Sequence, residues 1–411
     1  MTSTARVRAK NLIKRMMTTE DRLSRDVYRV ASARLISEIG DQVALIALLF
    51  RVKELGPWAV SGVFAAGAAT RMLAAPWSGM VVDRFRARPL IRVVSIMQAL
   101  ICCLLAVASG PAIYLLVVML SVGTTIVLPA WQALIPRMVE PNDLSRAYST
   151  VQTFRSVSVL VGAGAGGAAV GLIGNSAAFL LDGVTFLSVG VFTIFISVDR
   201  EPSLVERSRA AALRGFTVIW RSPILRAMTI MLTVFNMTIG IVEVLGVFII
   251  TDSLGGGPGT YGLMYGLMGG ATLFSGLLAS RRRVSWSNEA VVIAGATMAA
   301  CGVLLLSISP SLIVAGVANV VIGFGMTGLN GFASPVIVAN SEDADRGRIF
   351  ATSAALTTMG FVISLGTGGV IGEFVTPRQG VFVGSTLCLA ALGINGFRVM
   401  REVGRRTISV A

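Results

Sequence analysis

The stretch WAVSGVFAAGAATRMLAAPWSGMVVDRFRARPLIRVVSIMQALICCLLAVA, residues 58–108, decides how this chain folds. Two apolar runs, 58–82 and 89–108, each supply the roughly 20 residues that a helix needs to cross a bilayer. Only a short turn rich in arginine separates them. Working outward, such runs recur at 33–50, 112–133, 148–172, 176–197, 226–251, 260–280, 288–308, 311–335, 349–372 and 379–398. The spacing predicts an all-α polytopic membrane protein with twelve transmembrane helices.

Composition excludes the soluble alternatives. Of the 411 residues 54% are apolar and 14% charged, and the mean hydropathy of +0.78 leaves too little polar surface to coat a soluble body of this size. The net charge of +14 does not point to nucleic acid, because the basic residues gather on no soluble domain and no recognition motif accompanies them. No histidine is present, which removes His-based proton relays, HExxH metal sites and Ser-His-Asp triads together. Cys102, Cys103, Cys301 and Cys388 lie inside apolar runs without metal-ligand spacing and read as buried small hydrophobes. No metal, cofactor or enzymatic activity is expected. The first 30 residues show neither an apolar stretch nor a small-residue cleavage site, so the first helix is expected to act as the insertion signal.

Charge sets the orientation. With both termini cytoplasmic, 30 of the 35 Lys and Arg residues fall on inner segments, while Arg51, Lys53 and Arg378 fall outside and Arg71 and Arg155 lie within helices. The positive-inside rule requires such a bias. The expected organisation is a basic cytoplasmic tail (1–32), a six-helix bundle (33–198), a cytoplasmic linker with an interfacial helix (199–225), a second six-helix bundle (226–398) and a cytoplasmic tail (399–411). In the linker, Val205, Leu213, Phe216 and Trp220 fall near one helical face, with Arg207, Arg214 and Arg221 away from it, the pattern of a helix lying in a membrane surface. A reporter active only in the cytoplasm is therefore expected to work when fused after Ala411 or within 203–210, and to be silent in the loop at 254–258. Activity at 254–258 would overturn the helix count.

The two bundles repeat each other. GMVVDR (79–84) is echoed by GLLASR (276–281), and Gly62 by Gly262. SRAYST (145–150) parallels GRIFAT (347–352), and the same offset lays Gly164, Gly166 and Gly167 on Gly366, Gly368 and Gly369. A near-constant spacing indicates a parallel duplication, the plan of transporters whose halves rock about a midplane site.

The segment GMVVDRFRAR, residues 79–88, resembles the loop motif G-x-x-x-D-R-x-G-R-R of the major facilitator superfamily, with Arg86 at the second glycine and Ala87 at the first closing arginine. RLISEIGD (34–41), PAWQALIP (129–136), NDLSRA (142–147) and FLLD (179–182) look like the branch that contains the enterobactin exporter and macrolide-efflux proteins. The resemblance spans nearly the whole chain. It implies that Gly79, Asp83, Arg84 and Arg88 form a gate that latches the cytoplasmic side against the eleventh helix. The family's antiporter motif in the fifth helix, G-P-x-x-G-G, corresponds to GAGAGG (162–167), where Ala163 replaces the proline and Gly162, Gly166 and Gly167 remain as a helix-packing seam. Ser95 and Gln98 stand in the third helix where the branch often carries an acid and a base, so an ion-pair relay there is absent.

Ionisable residues inside a membrane are costly and face a cavity or a partner. Here they are Glu38, Asp41, Arg71, Arg155, Asp182 and Glu243. Arg34, Glu38 and Asp41 share one helical face, and Glu38 is read as pairing with Arg34. At about 1.5 Å per residue, Asp41 lies roughly 12 Å and Arg71 roughly 17 Å from the inner ends of their helices, so a contact or a shared water cavity is feasible. Asp41, Arg71, Asp182 and Glu243 are the candidates for proton coupling or substrate binding. Asn236 and Asn330, with Met237, Phe235 and Phe324, have two readings: they complete an amphipathic pocket, or the Met and Phe belong to ordinary helix packing, the commoner case at helical spacing.

Without a G-x-x-x-x-G-K-[ST] motif or a soluble nucleotide domain, an ion gradient is the expected energy source. The expected function is proton-coupled export of an amphiphilic small molecule, a drug, antibiotic or siderophore-like product, by alternating access across a bacterial cytoplasmic membrane. The alternatives are a lipid or lysolipid flippase of the same fold and a non-transporting membrane sensor or assembly factor. Expected partners are the substrate, protons and the lipid bilayer; a monomer is compatible with this plan.

Overall fold

A computed structural model describes residues 25–140, 143–199, 211–281 and 286–410. The described residues are helical, without strands. The first four helices are α1 (Arg25–Lys53), α2 (Pro57–Arg84), α3 (Ala87–Val107) and α4 (Ala112–Leu134). The 52-residue segment Leu144–Phe195 breaks at Gly174, where φ of 78° and ψ of 170° suit only a residue without Cβ; it yields α5 (144–173) and α6 (175–195). A short helix α7 (Ala211–Arg221) precedes α8 (Pro223–Phe248), which ends in a π-helical turn at Ile249–Ser253. The chain closes with α9 (Pro258–Arg281), α10 (Asn288–Ser307), α11 (Leu312–Ala339), α12 (Asp343–Phe374) and α13 (Pro377–Val410).

Local chemistry sets the helix starts. Prolines open α2, α8, α9 and α13, where the missing N–H costs nothing. Ser222, Ser287 and Ser311 cap α8, α10 and α11, accepting bonds from the backbone N–H groups of Leu225, Ala290 and Val314. By length and apolarity ten segments could span a membrane, one of them the broken 146–195 pair. The first helix, which carries Arg34, Glu38 and Asp41, completes twelve.

Three expected helix limits fall well short of those observed. Helix α1 begins by Arg25 rather than 33, α12 begins at Asp343 rather than 349, and α13 continues to Val410 rather than ending at 398. These extensions are charged, so an apolar run cannot reveal them. Val205 and Arg207 lie outside the described residues. Within α7, Ile219 is buried against Leu225, Ile337 and Ile349, while Phe216 and Trp220 stack at 4.8 Å with exposed rings.

Among the described residues, the buried cluster that the halves share lies at one end. At the end away from the linker one buried cluster takes residues from both, including Val43, Leu105, Val244, Tyr261 and Leu365. Toward the linker each half keeps its own cluster, around Ile91 and Trp131 in one and Met228 and Phe235 in the other. The duplicated glycines hold equivalent places. A Cβ on Gly166 would meet Val43 Cα of α1 at 3.0 Å, and one on Gly368 would meet Ile241 Cα of α8 at 3.4 Å. Their neighbours cross between halves: Gly167 packs on Gly262 of α9, and Gly369 on Ser61 of α2. Ser61 Oγ also donates to Leu365 O at 2.7 Å, and Lys53 pairs with Asp252 at 2.6 Å.

Candidate functional site

Between the halves, beside the cluster that joins them, the chain leaves an open space. There lies a cavity of about 340 Å³, walled by α1, α2, α4 and α6 and faced across the interface by Glu243 of α8 and Phe361 of α12. Asp41, Arg71, Asp182 and Glu243 all line it. The remaining wall is largely apolar, with Leu45, Leu48, Val63 and Phe64, relieved by Gln42, Ser121 and Thr124.

The four ionisable groups are held differently. Asp182 is fully buried; Thr185 Oγ1 donates to its Oδ1 at 3.0 Å and Cys102 Sγ to its Oδ2 at 3.4 Å. Gly40 makes that placement possible, since a Cβ there would collide with Asp182 Oδ1 and Thr185 Oγ1. Glu243 Oε2 accepts from Tyr265 OH at 2.8 Å. Among the described residues, no hydrogen bond or ion pair engages the Asp41 carboxylate or the Arg71 guanidinium. The two are joined by the shared cavity rather than by direct contact, and Asp41 also feels the charge of Asp182. Glu38 is fixed, paired with Arg34 at 2.9 Å and 3.9 Å from Arg155, and accepting from Ser158 Oγ at 2.8 Å.

The turn residues sit at the linker end. Gly79 and Asp83 are half-buried at the end of α2, and Arg84 is exposed. Arg88 works inside its own half: its Nε donates to Thr193 O at 3.1 Å and its Nη2 to Ile194 O at 3.2 Å, carbonyls that the end of α6 leaves without helical partners. Asp199 in turn accepts from Arg88 N at 3.0 Å. In the glycine seam, Gly162 and Gly166 pack on α1 and Gly167 on α9.

Of the two readings of Asn236, Asn330 and their neighbours, ordinary packing accounts for most of the contacts. Phe235 is buried in the core of the second half, Asn236 Nδ2 donates to Leu232 O of its own helix at 2.8 Å, Asn330 is exposed, and Phe324 packs edge-on against Phe274. Beside Glu243 there is instead an apolar chamber of about 100 Å³ bounded by Met264, Met268, Met326, Tyr261, Tyr265 and Asn319. Tyr265 and Phe361 are not legible in the sequence as site residues; an aromatic in an apolar helix carries no mark of the face it presents.

A sequence model of the Major Facilitator Superfamily matches residues 30–331. The chain is 25% identical over 298 residues to the uncharacterized MFS-type transporter y4rN of Sinorhizobium fredii (strain NBRC 101917 / NGR234), covering 69% of this chain and 71% of that protein. It is 22% identical over 377 residues to the uncharacterized MFS-type transporter YfiS of Bacillus subtilis (strain 168), covering 86% and 88%. Its fold is similar to that of a POT family transporter crystallised with 5-aminolevulinic acid, with a TM-score of 0.75 and 12% identity over 90% of this chain and 95% of that one. The nucleoside transporter NupG, crystallised as a mutant, aligns with a TM-score of 0.73 and 11% identity over 92% and 98%.

Proposed function

The chain belongs to the Major Facilitator Superfamily and is a multi-pass membrane transporter, and from that premise we propose that it exports an amphiphilic, positively charged small molecule in exchange for protons. The observation that carries this reading is the cavity between the halves, where three carboxylates, Asp41, Asp182 and Glu243, face a single arginine, Arg71. A wall with that balance attracts a cation, and its apolar remainder suits an aromatic or aliphatic body, as in a drug, antibiotic or siderophore-like product. The adjoining methionine-lined chamber adds an adaptable apolar surface.

Alternating access follows from the same geometry. The far end is closed through Lys53–Asp252, Ser61–Leu365 and the glycine seam; release on that side requires these contacts to part while the linker end closes around Asp83. Asp83, with Gly79, Arg84 and Arg88 on the same turn, is proposed as the gate there. The basic segments favour the cytoplasmic membrane of a bacterium, with the linker and both termini inside.

The test uses the purified protein in liposomes with ethidium, an aromatic cation, as the probe. An imposed proton gradient should drive ethidium against the direction of proton flow, and a pH-sensitive dye should report proton movement that depends on ethidium. Movement of both in the same direction, or ethidium transport that ignores the gradient, would overturn the proposal.

A further inference from the structure

We propose that a second pocket, within the amino-terminal half, holds a short chain of water molecules that delivers protons to Asp41 by a route beside the substrate cavity. This rests on the proton-coupled reading above. The pocket measures about 80 Å³ and lies between α1, α3, α4 and α6. At about 30 Å³ per water it has room for two or three. Its polar wall comprises Arg34, Ser37, Glu38 and Asp41 of α1, Ser95 and Gln98 of α3, and Thr124 of α4.

Ser95 marks the pocket as a place for a guest. The residue is 1% exposed, and its buried hydroxyl has no partner among the described residues. A helical serine can satisfy itself by donating to a carbonyl one turn back, as Ser188, Ser364 and Ser385 do here. Ser95 leaves that bond unmade, which costs about 1–3 kcal/mol if nothing replaces it. A water in the pocket supplies the missing partner and has Asp41 and the amide of Gln98 within the same wall.

The wall favours water over a metal ion. Glu38 is already committed to Arg34, Arg155 and Ser158, and Thr124 Oγ1 accepts from Gln98 Nε2 and donates to Leu120 O. Asp41 alone remains as an uncommitted charge, beside the positive Arg34, and a bare cation there would lack ligands.

The pocket also joins the right places. Asp41 and Thr124 line both it and the central cavity. At the other end Arg34 and Glu38 keep 13% and 19% of their side-chain surface exposed, which opens the pocket toward the linker side. The charged groups facing Asp41 are Arg34 and Glu38 of its own helix, Arg71 of α2, Asp182 of α6 and Glu243 of α8. Each water accepts one proton and passes one on, so only O–H bonds change and the carboxylate of Asp41 is the terminus. The substrate can then occupy the central cavity while Asp41 exchanges protons with the linker side.

The full-length protein in liposomes is compared with Ser95→Val, which fills the pocket with an apolar group, and Ser95→Thr, which keeps a hydroxyl. Ethidium exchange without a gradient reports the substrate path and the integrity of the fold; a pH-sensitive dye reports coupled proton movement. Ser95→Val should slow coupled proton movement by about tenfold or more while ethidium exchange stays near wild type, and Ser95→Thr should retain both. Undiminished proton movement in Ser95→Val, or a parallel fall in exchange, overturns this route. Stimulation of the wild type by sodium that Ser95→Val removes would also overturn it, placing a cation in the pocket. A wild type that exchanges ethidium but moves no proton instead defeats the proton-coupled reading itself.

Discussion

Asp41→Asn is expected to abolish proton-driven movement of ethidium while exchange of ethidium down its own gradient persists. Asparagine keeps the volume and loses the titration; Asp182 and Glu243 remain to hold the cation, so exchange persists with a weaker affinity. The structure argues that the fold will tolerate it. No ion pair or hydrogen bond engages Asp41 among the described residues, so no partner is stranded. Abundance and thermal stability should therefore match those of the wild type, and gradient-driven accumulation should fall by about a hundredfold. Asp182, held by Thr185 and Cys102, and Glu243, held by Tyr265, are less free to exchange a proton during the cycle. Coupled proton flux persisting in folded Asp41→Asn would move the role to one of them.

The fold is legible because its signals are long and repeated. A spanning helix announces itself over about 20 residues, and the offset that lays Gly166 and Gly167 on Gly368 and Gly369 foretells contacts that the structure shows twice, once in each half. The helix limits at Arg25 and Val410 escape because those turns leave the apolar run. Within the site, Asp41, Arg71, Asp182 and Glu243 stand out as rare charges in apolar helices, and all four reach one cavity. The neutral residues are harder to place. A helix apolar on every side, such as α8, gives no periodic sign of which face meets the cavity, so the sequence leaves open whether Asn236 and Phe235 line a pocket or pack, and the structure buries Phe235 in the core of the second half. Ser95 and Gln98 register only as the absence of an ion pair; that one hydroxyl is left unpaired is a fact of packing, invisible in a residue string.

Substituting Gly167 and Gly369 together by leucine is expected to trap the protein open at the end away from the linker. A Cβ at Gly167 would stand 2.5 Å from Pro258 O, 2.9 Å from Gly262 Cα and 3.1 Å from Gly259 Cα. All three are backbone atoms, so relief requires α5 and α9 to part. A Cβ at Gly369 would stand 2.5 Å from Ser61 Cβ and 2.6 Å from Ser61 Oγ, which pushes α12 from α2 and removes the bond to Leu365. Both contacts lie between the halves, so each bundle keeps its own packing and the strain falls on the closed state alone. Overpacking of this kind costs about 1–3 kcal/mol per site, enough to shift a two-state equilibrium by tenfold or more. The measurement is labelling of Val63→Cys, which lines the cavity, by a membrane-impermeant thiol reagent applied from outside, with the same background lacking Val63→Cys as the control. Labelling should rise by about tenfold and ethidium transport should collapse, because a carrier that cannot close one end cannot cycle. Leucine at Gly162 or Gly166 presses on α1 inside one bundle and should lower abundance instead. Unchanged labelling in a well-folded Gly167→Leu/Gly369→Leu protein would show that the closed seam does not govern access from that side.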